Sequence, residues 1–309
     1  MGGELTGGLR CTVIVPTYNR RRLLGLTLDS LAKQDLPRDR FEVLVVDDGS
    51  SDDTAAVVRG FEDRLDLRYF YQPDEGYRVA KARNVGIRHA TGEISVFVDS
   101  GVLLHSASLS AHVEAHAASP EPLALNGYVY CFNLGNEDAG LINEFVDADD
   151  VDASIGAMAR ARAWPDIRDP FYAFYTDDFG HLPAPWLMYW TCHASAWTEQ
   201  VREVGMYDEA FRTWGGEDLD LAYRLHLDGA RFGVSRTATS IHYPHDKVQD
   251  ENILSAYQNY HYIVDKYRTP IIRMLTETPP VSFAVFNHTA AQRGLPRCAD
   301  YLARNPVSG

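Results

Sequence analysis

The first hundred residues alternate short apolar runs with stretches in which apolar residues recur at helical spacing. The apolar runs predict four strands, at residues 11–15, 41–46, 67–71 and 94–98. The stretches between them predict three helices, which begin after Asn19, near residue 52 and at Val79. We expect Pro16 to end the first strand and Asn19 to cap the first helix. This alternation predicts an α/β fold with a Rossmann-like, mostly parallel central sheet that is flanked by helices.

The hydrophobic pattern becomes irregular after residue 131. The segment 132–185 is acidic and aromatic, and we interpret it as helix and loop that cover a site, not as sheet. Helices are predicted at residues 196–204, 217–229 and 251–268, and a strand at 238–242. Residues 186–189 are expected to be ordered, without an assigned type. We divide the chain into a flexible leader (1–10), an α/β domain (11–250, in halves 11–130 and 131–250) and a helical extension (251–309).

The chain is strongly acidic. Its 309 residues contain 43 Asp and Glu against 29 Lys and Arg, a formal net charge of −14. Nucleic acid and anionic lipid surfaces are therefore disfavoured as partners, and a phosphate ligand has to be met by a local group of cations, backbone N–H groups or a metal. No apolar run approaches the ~20 residues of a membrane span. Four widely separated cysteines favour reduced thiols and a cytoplasmic location.

Carboxylates follow two of the predicted strands at the point where each strand ends. Asp47 and Asp48 follow the second strand, and Asp99 follows the fourth. Because ligands of parallel α/β sheets bind at the carboxyl ends of the strands, these positions mark a candidate site. The sequence has no GxGxxG after the first strand and no GxxxxGK[ST], so a dinucleotide site or a P-loop would lack its phosphate cradle. A simple helix-capping turn at Asp-Gly-Ser-Ser is an open alternative.

Three further groups of residues carry candidate chemistry, and each also has an ordinary structural explanation. Arg78, Lys81 and Arg83 lie close together and would meet a diphosphate, or form a solvated basic face. The glycines of Trp-Gly-Gly-Glu-Asp, at 214–218, would let the backbone approach a ligand. Its two carboxylates would bind and accept a proton, or only cap a helix. The histidines in the segment 242–245 are metal ligands or structural side chains.

In their order along the chain, these motifs resemble one family. Family 2 glycosyltransferases of the GT-A fold have motifs similar to VIVPTYNR, VVDDGSSDDT, ARNVGIRHATGE and FVDSG, and the resemblance spans about residues 11–250. The transferase modules of chondroitin-type polymerases contain elements similar to GYRVAKARN and WGGEDLDLAYRL. Galactosyltransferases have a C-terminal motif similar to WGGED. The resemblance implies a nucleotide-binding first half, an acceptor-binding second half, and inverting transfer of a sugar from a nucleotide sugar, with UDP expected.

The same resemblance implies a role for each matching residue. The residues expected to bind the nucleotide sugar are Pro16, Tyr18 and Asp48 at the nucleoside, Arg83 with Arg78 or Lys81 at the uracil or diphosphate, and Asp99. The residues expected to shape the sugar and acceptor pocket are Trp214, Gly216 and Glu217. Asp218 would be the catalytic base, because it matches the second acid of the family's Glu-Asp pair.

The metal-binding motif departs from the family pattern. Asp99 matches the first Asp of the DxD motif, but Gly101 replaces the second. A divalent ion, Mn²⁺ or Mg²⁺, would then be held by Asp99, His242 (or His245), waters and the donor phosphates, or bind weakly, or be absent, and positive side chains would partly replace it. The QxxRW element of processive synthases is missing from the sequence, which favours a single transfer per encounter.

Two other functions stay open. Gly101 is compatible with a GT-A-like protein that binds a nucleotide sugar and acts as a partner without transferring it, although the presence of both Glu217 and Asp218 speaks against this. A sugar nucleotidyltransferase would need a glycine-rich basic loop after the first strand, where this chain has PTYNR. The aromatic rings of segment 132–185 would stack on a carbohydrate or hydrophobic small-molecule acceptor, or else only pack in the core.

Overall fold

The computed structural model describes residues 10–132, 138–245 and 249–305, which contain one eight-stranded sheet. The strands are β1 Cys11–Thr17, β2 Phe41–Asp47, β3 Leu67–Tyr71, β4 Ile94–Val98, β5 Val102–Leu104, β6 Leu123–Tyr130, β7 His193–Trp197 and β8 Arg231–His242. The helices are α1 Arg21–Leu31, α2 Thr54–Arg59, α3 Val79–His89, α4 Ser108–Ala118, α5 Ala139–Phe145, α6 Val151–Ala161, α7 Asp169–Tyr175, α8 Thr198–Glu203, α9 Glu217–Leu227, α10 Gln249–Tyr267, α11 Pro270–Arg273, α12 Phe283–Gln292 and α13 Cys298–Arg304.

The strands lie in the order β3-β2-β1-β4-β7-β6-β8-β5. The first four are mutually parallel, as their continuous apolar sequences predict for strands buried on both faces. β7 joins β4 and β6 antiparallel to both, β6 and β8 are parallel, and β5 closes the other edge antiparallel to β8. The parallel arrangement predicted for β1–β4 is therefore confirmed, and the second half of the sheet makes it mixed.

Each face of the sheet carries its own hydrophobic core. Along β1, Val13 and Val15 pack into the core that contains α1, α2 and α4, whereas Ile14 packs into the core that contains α3 and α9. This alternation follows from the two-residue period of a strand. The second of these cores continues into the C-terminal region, because Ile272 of α11 and Phe286 of α12 belong to it. The C-terminal helices are thus packed against the sheet domain.

Two local predictions, one for the end of the first strand and one for the cap of the first helix, are wrong. β1 continues through Pro16, which pairs in register with Val46, while pairing to β4 stops at Ile14. The proline therefore lies where β1 has a single hydrogen-bonding neighbour, a position that tolerates a missing N–H. Asn19 does not cap α1, because its φ of 49° turns the side chain toward the loop after β2, where Oδ1 accepts a hydrogen bond from the backbone N–H of Ser51 (2.8 Å).

The structure also adds elements that the hydrophobic pattern did not reveal, namely β5, α4, β6 and the first part of β8. Residues 193–197 form β7, so the helix predicted near 196 begins at Thr198. Within segment 132–185, the described residues contain α5, α6 and α7, and Asp178 forms an isolated bridge with Gly233 of β8. The prediction of helix and loop for this segment is therefore confirmed.

Two expectations from composition are also met. All four cysteines are buried and unpaired, as reduced core thiols should be. Among the described residues, no helix combines the length and apolar character needed to cross a bilayer.

Candidate active site

Two adjacent carboxylates at the end of β2 have different roles. The first stabilises the turn, and the second lies at the sheet edge. Asp47 accepts hydrogen bonds from the backbone N–H of Ser50 (2.7 Å) and the hydroxyl of Tyr69 (2.6 Å), so it stabilises the turn. Asp48 accepts from the side-chain amide of Gln72 (2.5 Å) and the backbone N–H of Arg78 (2.9 Å). Burial raises the pKa of Asp48, and these two donors oppose the rise. Asp48 is thus a largely enclosed acceptor beside β1.

One arginine gathers three carboxylates from distant parts of the chain. Nη2 of Arg83, on α3, lies 2.9 Å from Oδ1 of Asp99, directly after β4. Nη1 of the same side chain lies 3.1 Å from Oε1 of Glu217 and 3.4 Å from Oδ1 of Asp218, at the first turn of α9. The Arg83 side chain is only 3% exposed, and its guanidinium also lies 5.2 Å from the ring centre of Tyr207. We call Arg83, Asp99, Glu217 and Asp218 the acid–arginine cluster.

The segment before β7 links the carboxylates of this cluster. The backbone N–H of Thr191 donates to Oδ2 of Asp218 (3.0 Å), and its hydroxyl donates to Oδ1. The next residue, Cys192, accepts a hydrogen bond from the backbone N–H of Asp99 (3.0 Å). Sequence reasoning missed Thr191, since an isolated threonine outside any motif gives no signal.

The electrostatics of the cluster favour a base of raised proton affinity. Burial and the neighbouring Asp218 raise the pKa of Glu217 to about 7, against the lowering effect of Arg83. Burial also raises the pKa of Asp218, while Arg83 and the hydrogen bonds from Thr191 oppose this. A carboxylate whose pKa is moved toward neutrality accepts a proton more effectively than an ordinary surface acid. Three carboxylates around a single guanidinium also leave the cluster with excess negative charge.

The three basic residues expected at a diphosphate do not form one face. The guanidinium of Arg78 is buried, donates to the carboxylate of Glu75 and the carbonyl of Pro73, and lies 3.9 Å from Asp48. Arg83 belongs to the acid–arginine cluster. Lys81 is half-buried and makes no ion pair within the part of the chain that is described. Each of the three therefore has a different environment.

Tyr18 and Pro16, which are expected to contact the nucleoside, lie at the carboxyl-terminal end of β1. The Tyr18 ring is 44% exposed, and its hydroxyl donates to Oδ2 of Asp74 (2.9 Å). The carbonyl of Pro16 accepts from the hydroxyl of Ser100 (2.8 Å), and the backbone N–H of Asp48 donates to the carbonyl of Thr17 (2.8 Å). These contacts bring the ends of β1, β2 and β4, and hence Asp48 and Asp99, to one sheet edge.

The glycines before Glu217 allow a close approach to α10. Gly215 and Gly216 have φ values of 89° and 96°, which glycine adopts without strain. A Cβ on Gly215 would lie 2.8 Å from Cβ of Ala256, and one on Gly216 would lie 3.1 Å from Cβ of Asn259. Their close approach is therefore to α10. The ring of Trp214 is 40% exposed beside them.

The expected metal ligands are only partly gathered. His242 ends β8 opposite Val102, and its ring centre lies 5.2 Å from that of His245. Gly101, with φ of 103°, accepts a hydrogen bond from the backbone N–H of Tyr243 (2.8 Å). Across residues 10–132, 138–245 and 249–305, no three His, Cys, Asp or Glu side chains form a group able to hold a metal ion. Asp99 forms an ion pair with Arg83, and the mechanism proposed below contains no metal-dependent step.

An α/β sheet with carboxylates at the ends of β2 and β4, and an acid pair at the first turn of α9, is the arrangement that the resemblance to the GT-A fold predicts. Comparison with known families agrees with this. The model described as "Glycosyl transferase family 2" matches residues 12–160, and the model described as "N-terminal domain of galactosyltransferase" matches residues 176–246. Residues 12–160 therefore match glycosyltransferase family 2, the family that the motifs predicted.

Individual relatives share most of this chain. It is 38% identical over 259 residues to validoxylamine A glucosyltransferase of Streptomyces hygroscopicus subsp. jinggangensis (strain 5008), which covers 83% of this chain and 60% of that protein. It is 30% identical over 232 residues to chondroitin synthase of Pasteurella multocida (strain Pm70), covering 72% of this chain and 23% of that protein. The chain therefore spans less than two thirds of the length of either relative.

Solved structures establish the fold. S. aureus TarS 1-349 in complex with UDP-GlcNAc is similar with a TM-score of 0.61 and 20% identity, over 92% of this chain and 76% of that chain. The mannosyltransferase PcManGT from Pyrobaculum calidifontis, solved with GDP-Man and Mn²⁺, has a TM-score of 0.59 and 22% identity, over 98% and 77% of the two chains. The predicted GT-A fold is confirmed.

Proposed function

We propose that this protein is an inverting, non-processive glycosyltransferase that moves one sugar from a nucleotide sugar to an acceptor hydroxyl. The observation that carries the proposal is the meeting of Asp99 and Asp218 on Arg83. Asp99 lies at the strand end where the donor is expected. Asp218 lies within the same cluster, where a base has to be if it is to act on an acceptor beside the donor.

In the proposed reaction, the acceptor hydroxyl oxygen attacks the anomeric carbon while a carboxylate oxygen of Asp218 accepts the hydroxyl proton. The bond from this carbon to the phosphate oxygen breaks, and the nucleoside diphosphate leaves with the electron pair. A single displacement inverts the configuration. Positioned general-base catalysis of this kind typically contributes about 10²–10⁴-fold, and holding the two substrates in line adds to it.

The donor is proposed to be a UDP-sugar. Asp48, as a buried carboxylate at the end of β2, is suited to accept a hydrogen bond from a base N–H or from a ribose hydroxyl. The exposed ring of Tyr18 offers a stacking surface next to it. The similar structures carry UDP-GlcNAc in one case and GDP-Man in another, so the identity of the nucleotide is what an experiment has to decide.

For the acceptor, the charge of the site and the name of one relative support the same proposal. Three carboxylates on one guanidinium favour a neutral or cationic acceptor over an acidic one. A relative that shares 38% identity is named as a glucosyltransferase of validoxylamine A. We therefore propose a small polyhydroxylated acceptor, and take UDP-glucose and validoxylamine A as the first substrate pair to test.

A divalent ion, Mn²⁺ or Mg²⁺, is part of the proposal only as an aid to diphosphate departure. The solved mannosyltransferase contains Mn²⁺. When bound, such an ion would neutralise the charge that develops on the leaving diphosphate. Asp99, His242 and His245 are the residues predicted to face it, although the described residues do not assemble them into a metal-binding group.

A second candidate, a protein that binds the nucleotide sugar without transferring it, is favoured by one observation. Asp99, the sole acid of the DSG motif, is paired with Arg83. A sugar nucleotidyltransferase is the third candidate from sequence. The three functions differ in what they release, because a transferase releases UDP, a nucleotidyltransferase releases pyrophosphate, and a binding protein releases neither.

The deciding experiment has two stages. A thermal-shift panel of UDP-, GDP- and dTDP-glucose, each with and without MnCl₂, identifies the donor, because a ligand of the folded state raises the melting temperature. Product release is then followed with the best donor and validoxylamine A. We expect stabilisation by UDP-glucose and acceptor-dependent UDP release. Pyrophosphate release, or binding without release of either product for any acceptor tried, contradicts the proposal.

A further inference from the structure

We propose that Asn259, on α10, is a positioning residue for the catalytic base: it holds the loop of residues 213–216, and thereby fixes where Glu217 and Asp218 lie. This inference rests on the proposed function, in which Asp218 is the base. It assigns a part in the active site to the C-terminal helical region, which no motif of the sequence had linked to the chemistry. We call residues 213–216 the base loop.

A single side-chain amide serves most of the base loop. Nδ2 of Asn259 donates to the carbonyl of Gly215 at 2.6 Å, and lies 3.3 Å and 3.4 Å from the carbonyls of Thr213 and Trp214. It also lies 3.1 Å from the hydroxyl of Thr213. The hydroxyl of Ser255, one turn earlier on α10, donates to the carbonyl of Trp214 (2.9 Å). These carbonyls precede a helix and have no partner within it.

Packing between the loop and α10 is equally close. The two glycines have positive φ, and their Cα atoms face Ala256 and Asn259 so closely that a Cβ on Gly215 would lie 2.8 Å from the Ala256 methyl. Gly216 is the residue from which α9 begins, and Glu217 and Asp218 form its first turn. A displacement of the loop therefore moves the two carboxylates with it.

Separate contacts fasten α10 to α9 further along. Oδ1 of Asp220, which is fully buried, accepts hydrogen bonds from Nζ of Lys266 (2.7 Å) and the hydroxyl of Tyr267 (2.7 Å). Nζ of Lys266 also lies 2.7 Å from Asp208. These bonds hold α10 in place without Asn259. Replacing Asn259 should therefore loosen the base loop while the helix stays docked.

The expected consequence is a loss of turnover with little loss of donor binding. Misplacement of a reacting group by about 1 Å costs on the order of 10²-fold in rate. We expect Asn259→Ala to lower kcat by about tenfold to a hundredfold for UDP-glucose and validoxylamine A, with the KM for UDP-glucose within twofold. Asn259→Asp, which keeps the shape but presents acceptors to carbonyls, should lower kcat at least as far. Gln258→Ala, at the exposed neighbouring position, is the matched control and should keep wild-type kcat.

Two readouts separate positioning from general destabilisation. A loosened loop admits more water to Asp218, so the raised pKa of this partly buried carboxyl falls, and the acid limb of the kcat–pH profile moves to lower pH. Partial unfolding lowers the amount of active enzyme without moving that limb. Hydrogen exchange in residues 213–220 should be accelerated at least tenfold by either Asn259 substitution and not by Gln258→Ala, and this measurement needs no substrate.

Unchanged hydrogen exchange in the base loop, or wild-type kcat in both Asn259 variants, overturns the inference. Failure of the proposed function gives a different result. If Asp218→Asn keeps full turnover, the base assignment is wrong, whatever Asn259 does. If Asp218→Asn is inactive while Asn259→Ala behaves like the control, only the positioning role is refuted.

Discussion

At the scale of single residues, the site is organised by charge. Arg83 contacts Asp99, Glu217 and Asp218, so a single buried cation balances carboxylates that come from a strand end and from a helix start. Burial raises the pKa values of Glu217 and Asp218, and Arg83 limits the rise. The positive charge of the arginine thus opposes protonation of Asp218, and the same side chain links Asp218 to Asp99.

The proposed role of Asp218 as the base is tested by Asp218→Asn. The amide keeps the shape of the side chain and removes its proton affinity, so we expect kcat to fall by about 10²–10⁴-fold. Stabilisation by UDP-glucose in a thermal-shift assay should be unchanged, because Asp48 and Tyr18 are the proposed nucleoside contacts. Asp265→Asn, an exposed acid on α10, is the control. Wild-type turnover by Asp218→Asn would remove this residue from the mechanism.

Arg83→Gln tests the electrostatic role of the arginine. Its positive charge lowers the carboxylate pKa values, so its loss raises them, and the deprotonated base is then lost at a higher pH. We expect the acid limb of the kcat–pH profile to move upward, with kcat reduced at pH 7. Arg88→Gln, on the same helix but pairing with Glu209 at the surface (3.6 Å), should leave the profile in place. A profile that stays in place for Arg83→Gln contradicts this role.

At the scale of elements, the position of the base depends on how α9 begins. The base loop meets α10 through two glycines, and the side chains of Asn259 and Ser255 satisfy its carbonyls. Thr191, just before β7, holds Asp218 from the other side. The acid pair is therefore fixed between a helix from the C-terminal region and a strand inserted antiparallel into the sheet.

Gly215→Ala tests the contact between the base loop and α10. An alanine at positive φ costs about 1–3 kcal/mol in unfolding free energy, and at Gly215 the added Cβ would also lie 2.8 Å from that of Ala256. Gly229→Ala is the matched control, since Gly229 has φ of 87° but nothing lies within 4 Å of the added atom. Urea unfolding should show a larger loss for Gly215→Ala. Equal losses of unfolding free energy would mean that α10 moves to accommodate the added Cβ without destabilising the fold.

At the scale of the whole molecule, a buried polar chain crosses the layer between α4 and the sheet. His116 and His112 both bond the hydroxyl of Ser195 (2.9 and 2.8 Å), His112 bonds His193 (3.1 Å between Nε2 atoms), and His193 bonds the hydroxyl of Ser240 (2.9 Å). Burial lowers the pKa of all three histidines, to about 3 for His116 and His193. They are therefore neutral in the folded protein at physiological pH.

This buried histidine network predicts that the stability of the fold is sensitive to acid. Because each folded-state pKa lies below the unfolded value near 6.5, the contribution to stability is complete above that pH and is lost as the pH falls toward the folded pKa. We expect the unfolding free energy to decrease below pH 6.5 by up to about 1.4 kcal/mol per pH unit for each histidine. His116→Gln should reduce this slope, whereas His261→Gln, at the surface, should not. Equal slopes for both variants would contradict the prediction.

The local sequence determined the first four strands of the sheet almost completely. Strand period, apolar run length and turn residues are properties of neighbouring residues, so β1–β4, α1 and α3 were predicted to within a few residues. The same local signals placed Asp48, Asp99 and Asp218 at strand ends and a helix start. The strands β5 and β6 and the helix α4 escaped because their patterns are short or of mixed polarity, and tertiary burial decided their conformation.

Which of these residues meet was decided by the tertiary structure. A local pattern carries no information about partners more than a hundred positions away, such as Arg83 and Glu217. It could not show that Arg78 bonds to its own loop, that the glycines lie against α10, or that Thr191 holds Asp218. The sequence determined the elements and the types of chemical group at their ends, and the packing of distant elements fixed their distances, burial and proton affinity.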